Sequence, residues 1–197
     1  EDLKGAGAFY AHTVLDDDST GNAEHYSDLL NPETAKTYLD NIHEKYLKLF
    51  KYDFGEHMPG FFTENPNVSR SALNCTDDKN PNKSVSFPWT TGFTDYFEKM
   101  HGYSPLGHLH RLLDGAEDGF KFRHDFWLAV SERFLEAYTI PMSAWCKEHE
   151  IKYTGNYPGD NDFSEMSVSG GSAMPHYEFT DMPAVNVRDR GQKGLKS

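Results

Sequence analysis

Carboxylates recur where strands end along this chain. Asp16 follows the run Tyr10 to Leu15, Glu64 follows Gly60 to Thr63, Asp160 comes shortly after Ile151 to Thr154, and Glu178 lies within His176 to Phe179. Each of these runs reads as a β-strand. In a parallel α/β barrel the active site is built from loops at the C-terminal ends of the strands, so acids repeated there are placed to converge. Two such acids can break a glycosidic bond: one protonates the leaving oxygen while the other attacks the sugar or activates water. Glu64, as general acid, and Glu178, as base or nucleophile, form the candidate pair. The plainer readings are a strand-end acid capping a loop for Glu64, and for Glu178 an ion pair with His176, which would share its strand face at the two-residue period.

Around this pair stand residues able to bind a sugar. Asn65 adjoins Glu64, and Asn156 follows a strand beside Gly155; an amide binds hydroxyls but moves no proton. Trp89, in a Pro-rich stretch, reads equally as a stacking platform and as a loop anchor. His176, Asp181 and Asp16 complete the substrate-binding candidates. Asp160, Asn161, Asp162 and Glu165 offer oxygen ligands at a spacing calcium accepts, without the full twelve-residue loop pattern, and a solvated acidic loop is the stronger reading. His108 and His110, two apart in a helical stretch, face different ways and make a poor metal pair. The expectation is therefore no cofactor, with calcium as the weak alternative.

The elements that must position these residues alternate between strand and helix. From Asn31 to Lys51 the positions Ala35, Tyr38, Leu39, Ile42, Tyr46, Leu49 and Phe50 recur at helical spacing, with Asn31 placed to cap and Pro32 at the first helical position. Met58 to Thr63, bounded by Pro59 and Pro66, suits a buried parallel strand. Polar loop is expected from there to about Pro88. Two short helices follow, one with Phe93, Tyr96, Phe97 and Met100, the other opening at Ser104-Pro105. A long helix spans about Phe120 to His149, interrupted at Pro141, whose missing N–H and ring favour a kink. Strand alternating with helix implies right-handed crossovers and a parallel sheet. Four such units make half of a (β/α)8 barrel, which needs about 250 residues. The expectation is an α/β fold: an incomplete or excerpted TIM-type barrel in a single domain over 1–186, with a polar, basic tail over 187–197.

Composition narrows the function. With 197 residues, 37% of them hydrophobic, the chain can bury one real core. The net charge of −12 repels a phosphate backbone, and no stretch approaches the roughly 20 apolar residues of a membrane span. Neither nucleic acid nor membrane is the expected partner, and the oligomeric state is left open. Asn67-Val68-Ser69, Asn74-Cys75-Thr76 and Asn82-Lys83-Ser84 are glycosylation sequons, which fit a secreted or extracytoplasmic protein, although a loop rich in Asn, Ser and Thr also makes sequons by chance. Glu1 to Gly7 has no signal-peptide pattern, so any export signal is expected upstream or removed. No phosphate-cradling glycine loop and no nucleophile elbow is present.

A resemblance adds to this reading. Asp28-Leu29-Leu30-Asn31-Pro32-Glu33, His43-Glu44-Lys45-Tyr46, Gly60-Phe61-Phe62-Thr63-Glu64-Asn65-Pro66, Arg123-His124-Asp125-Phe126-Trp127, Trp145-Cys146-Lys147-Glu148-His149, Thr154-Gly155-Asn156 and His176-Tyr177-Glu178-Phe179-Thr180-Asp181-Met182-Pro183 stand in this order. In sequence they resemble the barrel of large bacterial and fungal glycosyl hydrolases near the family 106 α-L-rhamnosidases. That resemblance implies carbohydrate as the partner and a (β/α)8 catalytic domain acting on glycosides, rhamnosides among them. Where relatives show Phe-Thr-Asp-Glu-Pro this chain has an acid and an amide, Glu64 and Asn65, and where they show Thr-Gly-His it has Asn156. A carbohydrate-binding protein without turnover is the alternative that these departures imply.

Overall fold

The computed structural model describes residues 9–14, 27–68, 72–77, 80–113, 117–158, 166 and 170–184, with 9–14, 72–77 and 80–86 described as backbone. The elements run β1 (Phe9–Val14), α1 (Pro32–Tyr38), a π turn (Leu39–His43), α2 (Glu44–Phe50), β2 (Gly60–Glu64), β3 (Ala72–Asp77), β4 (Asn80–Pro88) and α3 (Phe93–His101). After a 3-10 stretch (Leu106–Leu112) come α4 (Phe120–Phe134), a second π turn (Leu135–Thr139), α5 (Ile140–Glu148), β5 (Lys152–Asn156), α6 (Met174–Tyr177) and β6 (Met182–Pro183). The described residues form a mixed α/β structure with two three-stranded sheets.

One sheet is parallel, in the order β2-β5-β6, with Gly60 opposite Lys152, Glu64 opposite Asn156 and Thr154 opposite Met182. Its strands approach closely because Gly155 has no side chain: a Cβ there would lie 2.7 Å from the Thr63 carbonyl oxygen. Ile151 to Thr154 and Gly60 to Thr63, read as parallel strands from sequence, are both in this sheet.

The other sheet corrects two expectations. β1 is a strand, but it pairs antiparallel with β3, which in turn pairs antiparallel with β4. The polar loop expected up to Pro88 is therefore largely a hairpin, and the sequons at Asn74 and Asn82 fall on its strands. Leu73 and Cys75 alternate with Asn74 and Thr76, and Val85 and Phe87 with Ser84 and Ser86, a two-residue period that polar composition obscures.

The third correction concerns His176 to Phe179, expected as a strand. Met174–Tyr177 is one helical turn with Pro175 in its first positions, where a proline suits helix, and Glu178 is its C-cap. His176 and Glu178 consequently share no strand face.

The helices form as their sequences dictate. Asn31 caps α1 through its side-chain oxygen, which accepts from the Glu33 N–H at 3.1 Å, and Pro32 follows it. In the long helix, the π turn falls immediately ahead of Pro141, and the Ile140 N–H reaches back to the Leu135 carbonyl. Phe93, Phe97, Phe126, Val130, Phe134 and Tyr153 are at most 1% exposed and anchor the core. α2 is fastened to α5 by the Trp145 indole, which donates to Glu44 at 2.9 Å. His43, 1% exposed, lies 3.9 Å from the Phe61 ring and 5.0 Å from Trp145 between centroids, and neither of its ring nitrogens has a partner among the described residues. Burial lowers its pKa to about 4, so it is a neutral core ring at physiological pH.

Candidate functional site

The C-terminal edge of β2 and β5 brings three of the sequence candidates together. Glu64 ends β2 and Asn156, its register partner, ends β5. The chain then turns through Asn65, which takes a left-handed backbone (φ 45°) that asparagine tolerates better than most side chains. Its N–H donates to the Asn156 carbonyl at 3.0 Å, and the Asn156 amide nitrogen donates to the Asn65 side-chain oxygen at 3.1 Å. Asn156 is 2% exposed, and its Oδ1 has no partner among the described residues. Glu64 is exposed, and its carboxylate makes no hydrogen bond or ion pair among the described residues. It lines a cleft of about 300 Å³ together with Ser27, Thr34, Tyr38, Phe62 and Tyr138.

Behind this edge lies a hydroxyl network. Thr63 Oγ1 is 3.1 Å from the Tyr138 hydroxyl, Thr139 Oγ1 is 3.0 Å from the Tyr157 hydroxyl, and the Tyr153 and Tyr157 hydroxyls are 3.3 Å apart. Burial pushes the Tyr153 and Tyr157 phenols up, so they stay protonated and serve as hydrogen-bonding struts rather than as acids. The network ties β2 and β5 to the π turn and so fixes the floor beneath Glu64.

His176 belongs to this floor and not to the cleft. It is 1% exposed, its Nδ1 lies 2.7 Å from Thr139 Oγ1, and its ring stacks on Tyr157 at 4.3 Å. Burial drives its pKa down to about 3, leaving it neutral. Asp181 holds the entry to β6: its carboxylate accepts the Tyr153 N–H at 2.8 Å, and its own N–H donates to the Tyr153 carbonyl at 2.8 Å. Tyr153 is three residues before Asn156, about 10 Å along a strand, so Asp181 sits at the opposite end of the sheet from Glu64.

No family model and no curated protein matches this sequence. The assignment of roles therefore rests on the residues themselves. Glu178 is exposed at the C-cap of α6, next to Phe179, whose carbonyl accepts from Ser143 at 2.7 Å. It follows the turn whose His176 packs on Tyr157 and precedes Asp181, which is bonded to Tyr153. Trp89 is half-buried between β4 and α3, with its ring 5.0 Å from Phe93. Asp16, Asp160, Asp162 and Glu165 lie outside the described residues, as does the tail from 187.

Sequence reasoning passed over a second carboxylate. Asp125 on α4, with its side chain 9% exposed, accepts from the Tyr103 hydroxyl at 2.8 Å and from Lys121, and has His124 Nδ1 at 3.4 Å and His101 Nδ1 at 3.8 Å. Burial alone would raise its pKa, but the hydrogen bonds from Lys121, Tyr103 and His124 and the charge of His101 hold it at about 2. The visible signal was Lys121 and Asp125 at helical i, i+4 spacing.

Chemically, the Glu64 edge can do two things. A carboxyl group open to a cleft can give or take a proton, and the exposed rings of Phe62 and Tyr38 can pack against a ligand face, while Asn156, buried and bonded to Asn65, is not exposed to the cleft.

Proposed function

We propose that this chain is a glycoside hydrolase-like domain, part of a (β/α)8 barrel, that binds carbohydrate at the C-terminal edge of its parallel sheet and cleaves glycosidic bonds there. The observation that carries the reading is Glu64, a carboxylate free of protein partners among the described residues, at a parallel strand end and lining a cleft of about 300 Å³. In α/β sheets this is the end where ligands bind. Glu64 acts as general acid, Asn65 beside it holds a hydroxyl, Asn156 positions Asn65, and Glu178 is the second carboxylate of the pair read from the sequence. Rhamnosides or polysaccharide side chains are the substrate class, and an extracytoplasmic setting goes with them.

A second reading is carbohydrate binding without turnover. It is favoured by the two amides at the strand ends beside Glu64, since an amide can bind a hydroxyl but moves no proton. Reducing-sugar release from a panel of plant and microbial glycans decides between the two, with the wild-type chain compared with Glu64→Gln and Glu178→Gln. Release abolished by both changes supports the paired-acid hydrolase. Release lost only with Glu64→Gln removes Glu178 from the site, and binding without release by the wild type establishes the second reading.

A further inference from the structure

The Glu64 cleft does not stand alone. A second cavity of about 350 Å³ is lined by Glu33, Thr34, Thr37, Tyr38 and Asn41, and it shares Ser27, Thr34 and Tyr38 with the cleft that reaches Glu64. The two are neighbouring compartments of one groove, with Tyr38 at their junction. Each is at the lower end of the size range of small-molecule sites, about 300 to 1,000 Å³.

The lining has a particular chemistry. Thr34, Thr37, Tyr38 and Asn41 recur at helical spacing and so line one face of α1 and the π turn that follows it. From Thr34 to Asn41 that face is about 10 Å long at 1.5 Å per residue. It offers hydroxyls and an amide as both donors and acceptors, and the Asn41 side chain is held by its bond to the Thr37 carbonyl at 2.9 Å. Tyr38 is 43% exposed and Phe62, in the neighbouring compartment, 57%. His43 meets the Tyr38 ring edge-on at 5.3 Å and steadies it. Flat rings alternating with hydroxyls and amides match a sugar chain, whose residues present C–H faces to rings and equatorial hydroxyls to polar side chains. A single sugar at Glu64 would leave the second compartment unused.

Granting the carbohydrate reading of the Glu64 edge, on which this rests, we infer that the groove takes an oligosaccharide, with Tyr38 as the stacking platform for units beyond the one at Glu64. Tyr38 thereby sets specificity for chain length rather than for the bond that is cut.

The test is calorimetric titration with rhamno-oligosaccharides and xylo-oligosaccharides of one to four units, on the Glu64→Gln chain so that no bond is cleaved. Affinity is expected to rise about tenfold from one unit to four, equivalent to about 1.4 kcal/mol. Tyr38→Ala should erase that gain, and Asn41→Ala, at an exposed position outside the Glu64 cleft, should reduce the gain and leave single-unit affinity unchanged. Equal affinity at every length, or a gain that survives Tyr38→Ala, would overturn the inference while leaving the Glu64 reading in place. No binding at any length would overturn both.

Discussion

Glu64 and Asp125 are carboxylates in opposite situations. Asp125 is buried on α4 among Lys121, Tyr103, His124 and His101, while Glu64 stands exposed at a strand end with no bonded partner among the described residues. A buried carboxylate must be paired to tolerate its desolvation, and once its lone pairs are occupied it has little left to offer a ligand. An open one costs the fold nothing and keeps its chemistry. Partnered and perturbed groups are often taken as sites, but in this molecule the partnered carboxylate is a strut and the exposed one lines the candidate cleft.

The sharpest way to break this contrast is to remove each acid. Asp125→Ala should destabilise the chain by about 1 to 3 kcal/mol, because the Tyr103 hydroxyl loses its acceptor and the nearly buried His101 its neighbouring carboxylate, while Lys121 is exposed and returns to water. Urea denaturation measures it. Glu64→Gln should leave the urea midpoint where it is. A large loss of stability from Glu64→Gln would place it with Asp125 as a structural group.

Next in size is the response to pH. His43 and His176 have folded pKa values of about 4 and about 3, below their ordinary 6.5, because burial disfavours the charged ring. Below pH 6.5 the unfolded chain therefore binds more protons than the folded one, and stability falls as the pH drops from 6.5 toward 4 and on toward 3. Each ring contributes a slope of up to about 1.4 kcal/mol per pH unit. Urea midpoints at pH 7.5, 6 and 5 should decline, and His43→Phe should flatten the decline. An unchanged profile in that variant would show that His43 is not buried as a neutral ring.

A close approach comes next. Gly155→Ala brings a Cβ within 2.7 Å of the Thr63 carbonyl, and overpacking of this kind costs about 1 to 3 kcal/mol. The smallest effect is expected for Thr63→Val, which removes the bond to Tyr138 and should cost about 1 kcal/mol by thermal denaturation. Both act on the floor under Glu64, so a loss of sugar binding greater than the loss of stability would show how far the site depends on it.

The legible parts of this fold were those with local causes. The capped amphipathic run from Asn31 to Lys51 and the apolar strands at Gly60 to Thr63 and Ile151 to Thr154 carry their signal within a few residues. The hairpin of β3 and β4 escaped notice because its stability comes from cross-strand pairing, with only a two-residue alternation among Asn, Asp and Lys to announce it. Met174–Tyr177 was misread because four residues hold too little periodicity to separate strand from helix, although Pro175 pointed to helix. That Glu64, Asn65 and Asn156 adjoin was legible because strand ends can be read in sequence. The roles of His176, Asp181 and Asp125 depend on what packs around them, through partners 37, 28 and 22 residues away.

The most direct test of the central contrast measures sugar release and thermal midpoint together on Glu64→Gln and Asp125→Asn. Loss of release with an unchanged midpoint for Glu64→Gln, and a lowered midpoint with release retained per folded molecule for Asp125→Asn, is the predicted result. Release unaffected by Glu64→Gln but abolished by Asp125→Asn below its melting range would move the chemistry to α4 and contradict the account.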